Sequence, residues 1–186
     1  MEIRSIRHAI NAQDNITLEV LIFKLLFFAN LTSLGLKLKT ESGRPQLFTK
    51  AFWPLDSEFH PGLFNGQSDL WIKPPNWSQA DALLISPVTK AIYFFQITGR
   101  LQHDVALKNF ADFLNFFDYK LNFRIVINVV VPIKNIRTIQ LNVMAHHVMG
   151  MKKFKKGWSS EMNVVILGME DILNILPSFV FKNYLI

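Results

Sequence analysis

Two short apolar runs flank a four-residue turn: Ala80-Asp-Ala-Leu-Leu-Ile-Ser, then Pro87-Val-Thr-Lys, then Ala91-Ile-Tyr-Phe-Phe-Gln-Ile-Thr. Runs of this length, bounded by turn residues and apolar at nearly every position, read as a β-hairpin buried on both faces. A sheet of that kind needs a layer of structure on each side.

The rest of the sequence supplies such layers. Asp14 or Asn15 caps a helix through Thr17–Asn30 that stops near Gly35. This helix is apolar nearly all round, apart from Glu19 and Lys24, so other elements are expected to cover it. Residues 36–76 hold much of the Pro and Gly and read as short strands and turns, with strands at Gln46–Trp53 and Asp69–Lys73. Asp104 reads as the cap of a helix that places Leu107, Phe110, Ala111, Leu114 and Phe117 at helical spacing. Phe123–Pro132 is a β-branched strand, Ile136–Met149 a helical or irregular piece, Met162–Gly168 another strand, and Glu170–Leu176 a short helix ended by Pro177. The expected fold is α/β: a mixed central sheet flanked by helices, in one domain over residues 1–186. The apolar tail Phe179–Ile186 is left to dock on the core or to cover a partner.

Composition narrows the function classes. A chain of 186 residues, half of them apolar and 17 of them Phe, can bury one substantial core. It has no Cys, which excludes disulfides and thiolate metal sites and fits an intracellular setting, cytoplasmic or nuclear. Residues 1–13 carry no apolar segment of the secretory kind, and Ile16–Leu31 is too short and too interrupted to span a bilayer, so no membrane partner is expected. The formal charge of +6 favours a polyanionic partner, with nucleic acid the first candidate. Lys152, Lys153, Lys155 and Lys156 cluster beside Trp158, a combination able to grip phosphates and stack a base, although such a cluster is also ordinary in a solvated loop. Neither a glycine-rich phosphate loop nor a serine nucleophile elbow occurs.

The hairpin carries the most specific chemistry. A symmetric turn centred between Val88 and Thr89 sets opposite each other the positions that sum to 177, so Asp81 faces Gln96 and Thr98 shares their face. Leu83, Ile85, Ile92 and Phe94 form the apolar strip of that face, and the polar groups gather where the strip ends. A carboxylate beside an amide oxygen, with the backbone carbonyl of Ile97 between Gln96 and Thr98, suits a hard cation such as Mg²⁺ or Mn²⁺. An ion held there activates water and stabilises charge on a phosphate. Plainer roles compete: Asp81 as a turn cap, Gln96 and Thr98 as partners for sheet-edge backbone, Glu19 as half of a salt bridge. His103 reads as a loop residue and His60-Pro61-Gly62 as a turn. His146-His147 resembles a zinc pair at first sight, but neighbours on a helix point about 100° apart and no third ligand is evident, so the plainer reading is preferred.

These residues resemble the PD-(D/E)xK restriction-endonuclease-like superfamily. Asp81 matches its strand Asp, Gln96-Ile97-Thr98 occupies the Glu-x-Lys place, and Glu19 matches the Glu of its first helix. The run Pro74-Pro-Asn-Trp-Ser-Gln-Ala-Asp-Ala-Leu-Leu, then Phe95-Gln-Ile-Thr with His103 following, is similar to the nuclease-like domain of Crinkler effectors and retrotransposon-hot-spot proteins. The resemblance covers about residues 69–132. It implies a restriction-endonuclease-like core and metal-dependent phosphodiester hydrolysis. Asp81, Gln96 and Ile97 would hold the metal, Glu19 would bind it or take a proton from water, and Thr98 would hydrogen-bond water or phosphate. Three positions depart from the pattern: Ala80 precedes Asp81 where the family has Pro, Gln96 is neutral, and Thr98 is not Lys. Lys108 is a candidate for a displaced ammonium. With one negative and one positive charge missing, the implied activity is weak, and the alternative is a catalytically inactive module on the same fold that binds nucleic acid or protein.

Overall fold

The computed structural model describes residues 18–51, 68–72, 80–107, 110, 123–143 and 162–170, with the side chains of Leu18 and Glu19 left out. Helix α1 (Leu18–Ser33) is followed by strands β1 (Leu36–Thr40), β2 (Pro45–Phe48), β3 (Leu70–Ile72), β4 (Ala82–Ser86) and β5 (Ala91–Ile97). Then come β6 (Gln102–Val105), β7 (Arg124–Pro132), a 3₁₀ turn at Ile133–Asn135, β8 (Gln140–Val143) and β9 (Met162–Met169).

Seven strands form one mixed sheet in the order β2-β1-β9-β7-β5-β4-β3. Strands β5, β7 and β9 are mutually parallel, while the remaining pairs are antiparallel. The β4–β5 hairpin has the expected register: Ala82 faces Phe95, Leu83 faces Phe94, and Ser86 faces Ala91. Pairing continues across the sheet in rows that alternate between its faces. Leu84, Tyr93, Val126 and Asn163 make one such row, and Leu83, Phe94, Ile127 and Val164 make a row on the opposite face.

Each face has its own core. On one, Phe23, Phe27 and Leu31 of α1 pack over Leu84, Phe95, Ile97 and Val130. On the other, Leu83, Ile85, Ile92 and Phe94 pack with Val105, Phe110, Ile136 and Ile139. The sheet also curls. β1 pairs with β9 at only Lys39–Gly168 and Thr40–Leu167, and the β1–β2 hairpin folds back until the Phe48 ring meets Tyr93 at 5.5 Å and Phe95 at 5.0 Å.

Three local expectations are corrected. Asp104 does not cap a helix; it lies within β6, which pairs in parallel with β8 as a separate two-stranded sheet. His103 is likewise a strand residue and not part of a loop. Ile136–Val143, within the stretch expected to be helical or irregular, is a turn leading into a strand, and residues 144–149 of that stretch lie outside the described residues. In both strands a non-local pairing about 38 residues away, with Asn142 Nδ2 donating to Asp104 Oδ1, outweighs the local cap signal. No helix among the described residues is long and apolar enough to cross a membrane.

Candidate functional site

Three elements meet at the polar end of the hairpin: α1, the start of β4 and the end of β5. Close packing places the helix. A Cβ on Gly99 would lie 2.8 Å from Val20 Cγ2, so the missing side chain at 99 lets the first turns of α1 sit against the end of β5. One helical turn further on, Lys24 reaches Asp81.

Asp81 stands just before β4, opposite Gln96 by continuation of the hairpin register. Its N–H donates to the Phe95 carbonyl at 2.7 Å. Its Oδ2 accepts the Ile97 N–H at 2.7 Å, and its Oδ1 accepts from Lys24 Nζ at 2.8 Å. Both carboxylate oxygens are therefore engaged, in a pair that is 30% exposed at Lys24 and 22% at Asp81. Lys24 was visible in the sequence only as an interruption of an apolar helix; its partner is 57 residues away.

Gln96 is buried, and its Oε1 has no hydrogen-bond partner among the described residues. Thr98 is buried too. Its N–H donates to the Val130 carbonyl at 3.0 Å, and its Oγ1 accepts the Arg100 N–H at 3.1 Å, which folds the chain from β5 towards β6. Register thus sets Asp81 against Gln96, but Asp81 is committed to Lys24 and Ile97, and Thr98 to the backbone. Glu19 lies in the first turn of α1 beside Val20, and its side chain is outside the described residues. Lys108, Lys152, Lys153, Lys155, Lys156, Trp158, His60 and the pair His146-His147 lie outside them as well.

His103 enters the same electrostatic neighbourhood from β6. Its Nε2 is buried without a partner among the described residues. Burial lowers its pKa below the ordinary histidine value; Arg100 and Lys24 add to the lowering, and Asp104 and Asp81 oppose it. Between the lowered folded pKa and 6.5 the unfolded chain therefore binds more protons than the folded one. The contribution of His103 to stability is fully present above pH 6.5 and is lost as pH falls through the folded pKa. The urea midpoint is expected to be lower at pH 5 than at pH 7.5, and His103→Gln to flatten that difference. An unchanged slope in the variant would exclude His103 as its source.

The described donors do not fit a resident divalent cation. They offer one carboxylate, already bonded through both oxygens, with an ammonium at 2.8 Å that would repel the ion. Gln96 Oε1 is the one unclaimed oxygen of the three expected side chains, and it is neutral. Among the described residues, no three His, Asp or Glu side chains gather.

One polar residue drew no attention in the sequence. Asn128, fully buried in β7 between Phe95 and Val165, has neither amide atom paired among the described residues. Inside a β-branched run its neighbours give no sign of a special role.

No family model, curated protein or solved structure matches the chain.

Proposed function

We propose that this chain is a restriction-endonuclease-like domain that works by binding nucleic acid and not by cutting it. The observation that carries the reading is the Lys24–Asp81 pair, in which an ammonium stands against the carboxylate that would otherwise hold a metal. Protein charge compensates the site from within, so no cation is required there to offset Asp81.

Charge supplies the other half of the case. The chain is +6 overall, and exposed Arg100, Lys134 and Arg137 follow the carboxyl-terminal ends of β5 and β7. In sheets with parallel strands this is the end at which ligands usually bind. Basic residues there suit a phosphate backbone, with affinity that falls as salt rises.

A second reading is metal-dependent phosphodiester hydrolysis by a divergent site. It is favoured by the unclaimed Gln96 Oε1 and by the position of Glu19 in the first turn of α1, beside the residue that touches Gly99. The two readings separate in one experiment on DNA and RNA with Mg²⁺ or Mn²⁺, using the wild type and Asp81→Asn, both checked for folding. Binding that weakens steeply with salt, and no divalent-dependent cleavage by either protein, is the expected result. Cleavage by the wild type that Asp81→Asn abolishes would establish the hydrolytic reading instead. Absence of salt-sensitive binding would overturn both.

A further inference from the structure

The opposite end of the sheet holds a cavity of about 470 Å³. It lies where the β1–β2 hairpin folds back over the sheet, near the start of the parallel strands β5, β7 and β9. Gln46, Phe48, Tyr93, Arg124, Val126 and Asn163 line it.

Register explains why these side chains converge. Tyr93, Val126 and Asn163 face one another across three strands, so they form a single row on the helix side of the sheet. Arg124, two residues before Val126 on β7, points the same way. Gln46 and Phe48 alternate with Leu47 on β2 and face the row from above, which the 5.5 Å contact of the Phe48 and Tyr93 rings confirms.

The lining is chemically matched to one kind of ligand. Arg124 is exposed and has no carboxylate partner among the described residues, so its planar donor fork is open to a phosphate. Gln46 and Asn163 bring two carboxamides, each with a donor and an acceptor side, and no partner for either side chain exists among the described residues. Phe48 and Tyr93 supply aromatic surface, with Val126 as apolar floor. The volume is in the range of small-molecule sites.

We propose that this cavity is a nucleotide site: the base lies against Phe48 and Tyr93 with its edge read by Gln46 and Asn163, and Arg124 takes the phosphate. It is independent of the polar end of the hairpin, since it lies at the other end of the same strands. Its ligand is either a free mononucleotide or one nucleotide unit of a strand.

Titration calorimetry with AMP, GMP, CMP and UMP tests it. At least one is expected to bind saturably below about 1 mM. Arg124→Gln and Asn163→Ala, both at exposed positions, are each expected to weaken that binding, Arg124→Gln at least tenfold, with the urea midpoint unchanged. Ribose 5-phosphate and the free nucleoside are each expected to bind at least tenfold more weakly than the nucleotide, and Asp81→Asn to bind it as the wild type does. A ten-residue oligonucleotide of the same base that displaces the mononucleotide assigns the site to a strand; one that does not assigns it to the free nucleotide. No saturation with any of the four, equal binding of ribose 5-phosphate, or indifference to Arg124→Gln would overturn the proposal.

Discussion

Replacing Phe95 by alanine is expected to cost about 3–5 kcal/mol, the range for deleting a fully buried aromatic ring. Phe95 is completely buried in β5, and its ring lies 6.0 Å from Phe27, 5.0 Å from Phe48 and 5.3 Å from Trp71. Those rings belong to α1, β2 and β3, so one side chain ties three separate elements to the central sheet. Edge-on and tilted aromatic contacts each add roughly 0.5–1.5 kcal/mol to the area term. The cavity left behind cannot collapse easily, because the surrounding backbone is held by strand pairing on both sides. A domain of this size has only about 5–15 kcal/mol to lose, so the variant should sit near the edge of folding. Urea denaturation of Phe95→Leu and Phe95→Ala checks it. Phe95→Leu should retain much of the stability, and a loss below about 1 kcal/mol for alanine would mean that the rings are not packed as described.

Where the sequence is legible and where it is not follows from the range of the forces involved. The β4–β5 register was readable because a four-residue turn between two apolar runs fixes the pairing, and a slip of one residue would separate Asp81 from Gln96. The β-branched run of β7 was readable for a similar reason: Ile125–Val131 has nowhere to go but a sheet covered on both faces. Strands β6 and β8 were not readable. Gln102-His103-Asp104-Val105 and Gln140-Leu141-Asn142-Val143 have weak β patterns, and each becomes a strand only because the other is there.

The candidate site divides in the same way. Asp81 opposite Gln96 is a local consequence of the hairpin. That Asp81 belongs to Lys24 is not, because a salt bridge between residues 57 apart leaves no periodicity to find. A lysine in an apolar helix is costly to bury unless its ammonium is paired, so the useful signal was the conflict between Lys24 and its neighbours. The mixed cavity between β2 and the parallel strands was hidden for another reason. It depends on a curl set by how few residues of β1 pair with β9, which no pattern in either strand announces.

Gly35→Ala is expected to lose roughly 2–4 kcal/mol, more than its single methyl group suggests. Gly35 ends α1 with φ +86°, where its N–H and that of Leu34 both donate to the Asn30 carbonyl. An L-residue in that conformation costs about 1–2 kcal/mol by itself. The methyl would also lie 2.5 Å from the Phe48 carbonyl oxygen and 3.2 Å from the Lys50 nitrogen. Those are backbone atoms, and no side-chain rotation relieves the clash. The chain after β2 cannot withdraw freely either, since the Ala51 N–H donates to the Leu31 carbonyl at 3.0 Å and Ala51 is buried. Gly43 provides the control, with φ +81° and nothing within 4 Å of the same methyl position. Gly43→Ala should lose only the conformational part, about 1–2 kcal/mol. The difference between the two urea midpoints then isolates the steric contribution, and equal losses would show that β2 yields without cost. Because Phe48 and Gln46 form one wall of the open cavity, Gly35→Ala should also weaken mononucleotide binding more than Gly43→Ala does, which ties the helix cap to the site through a single backbone contact.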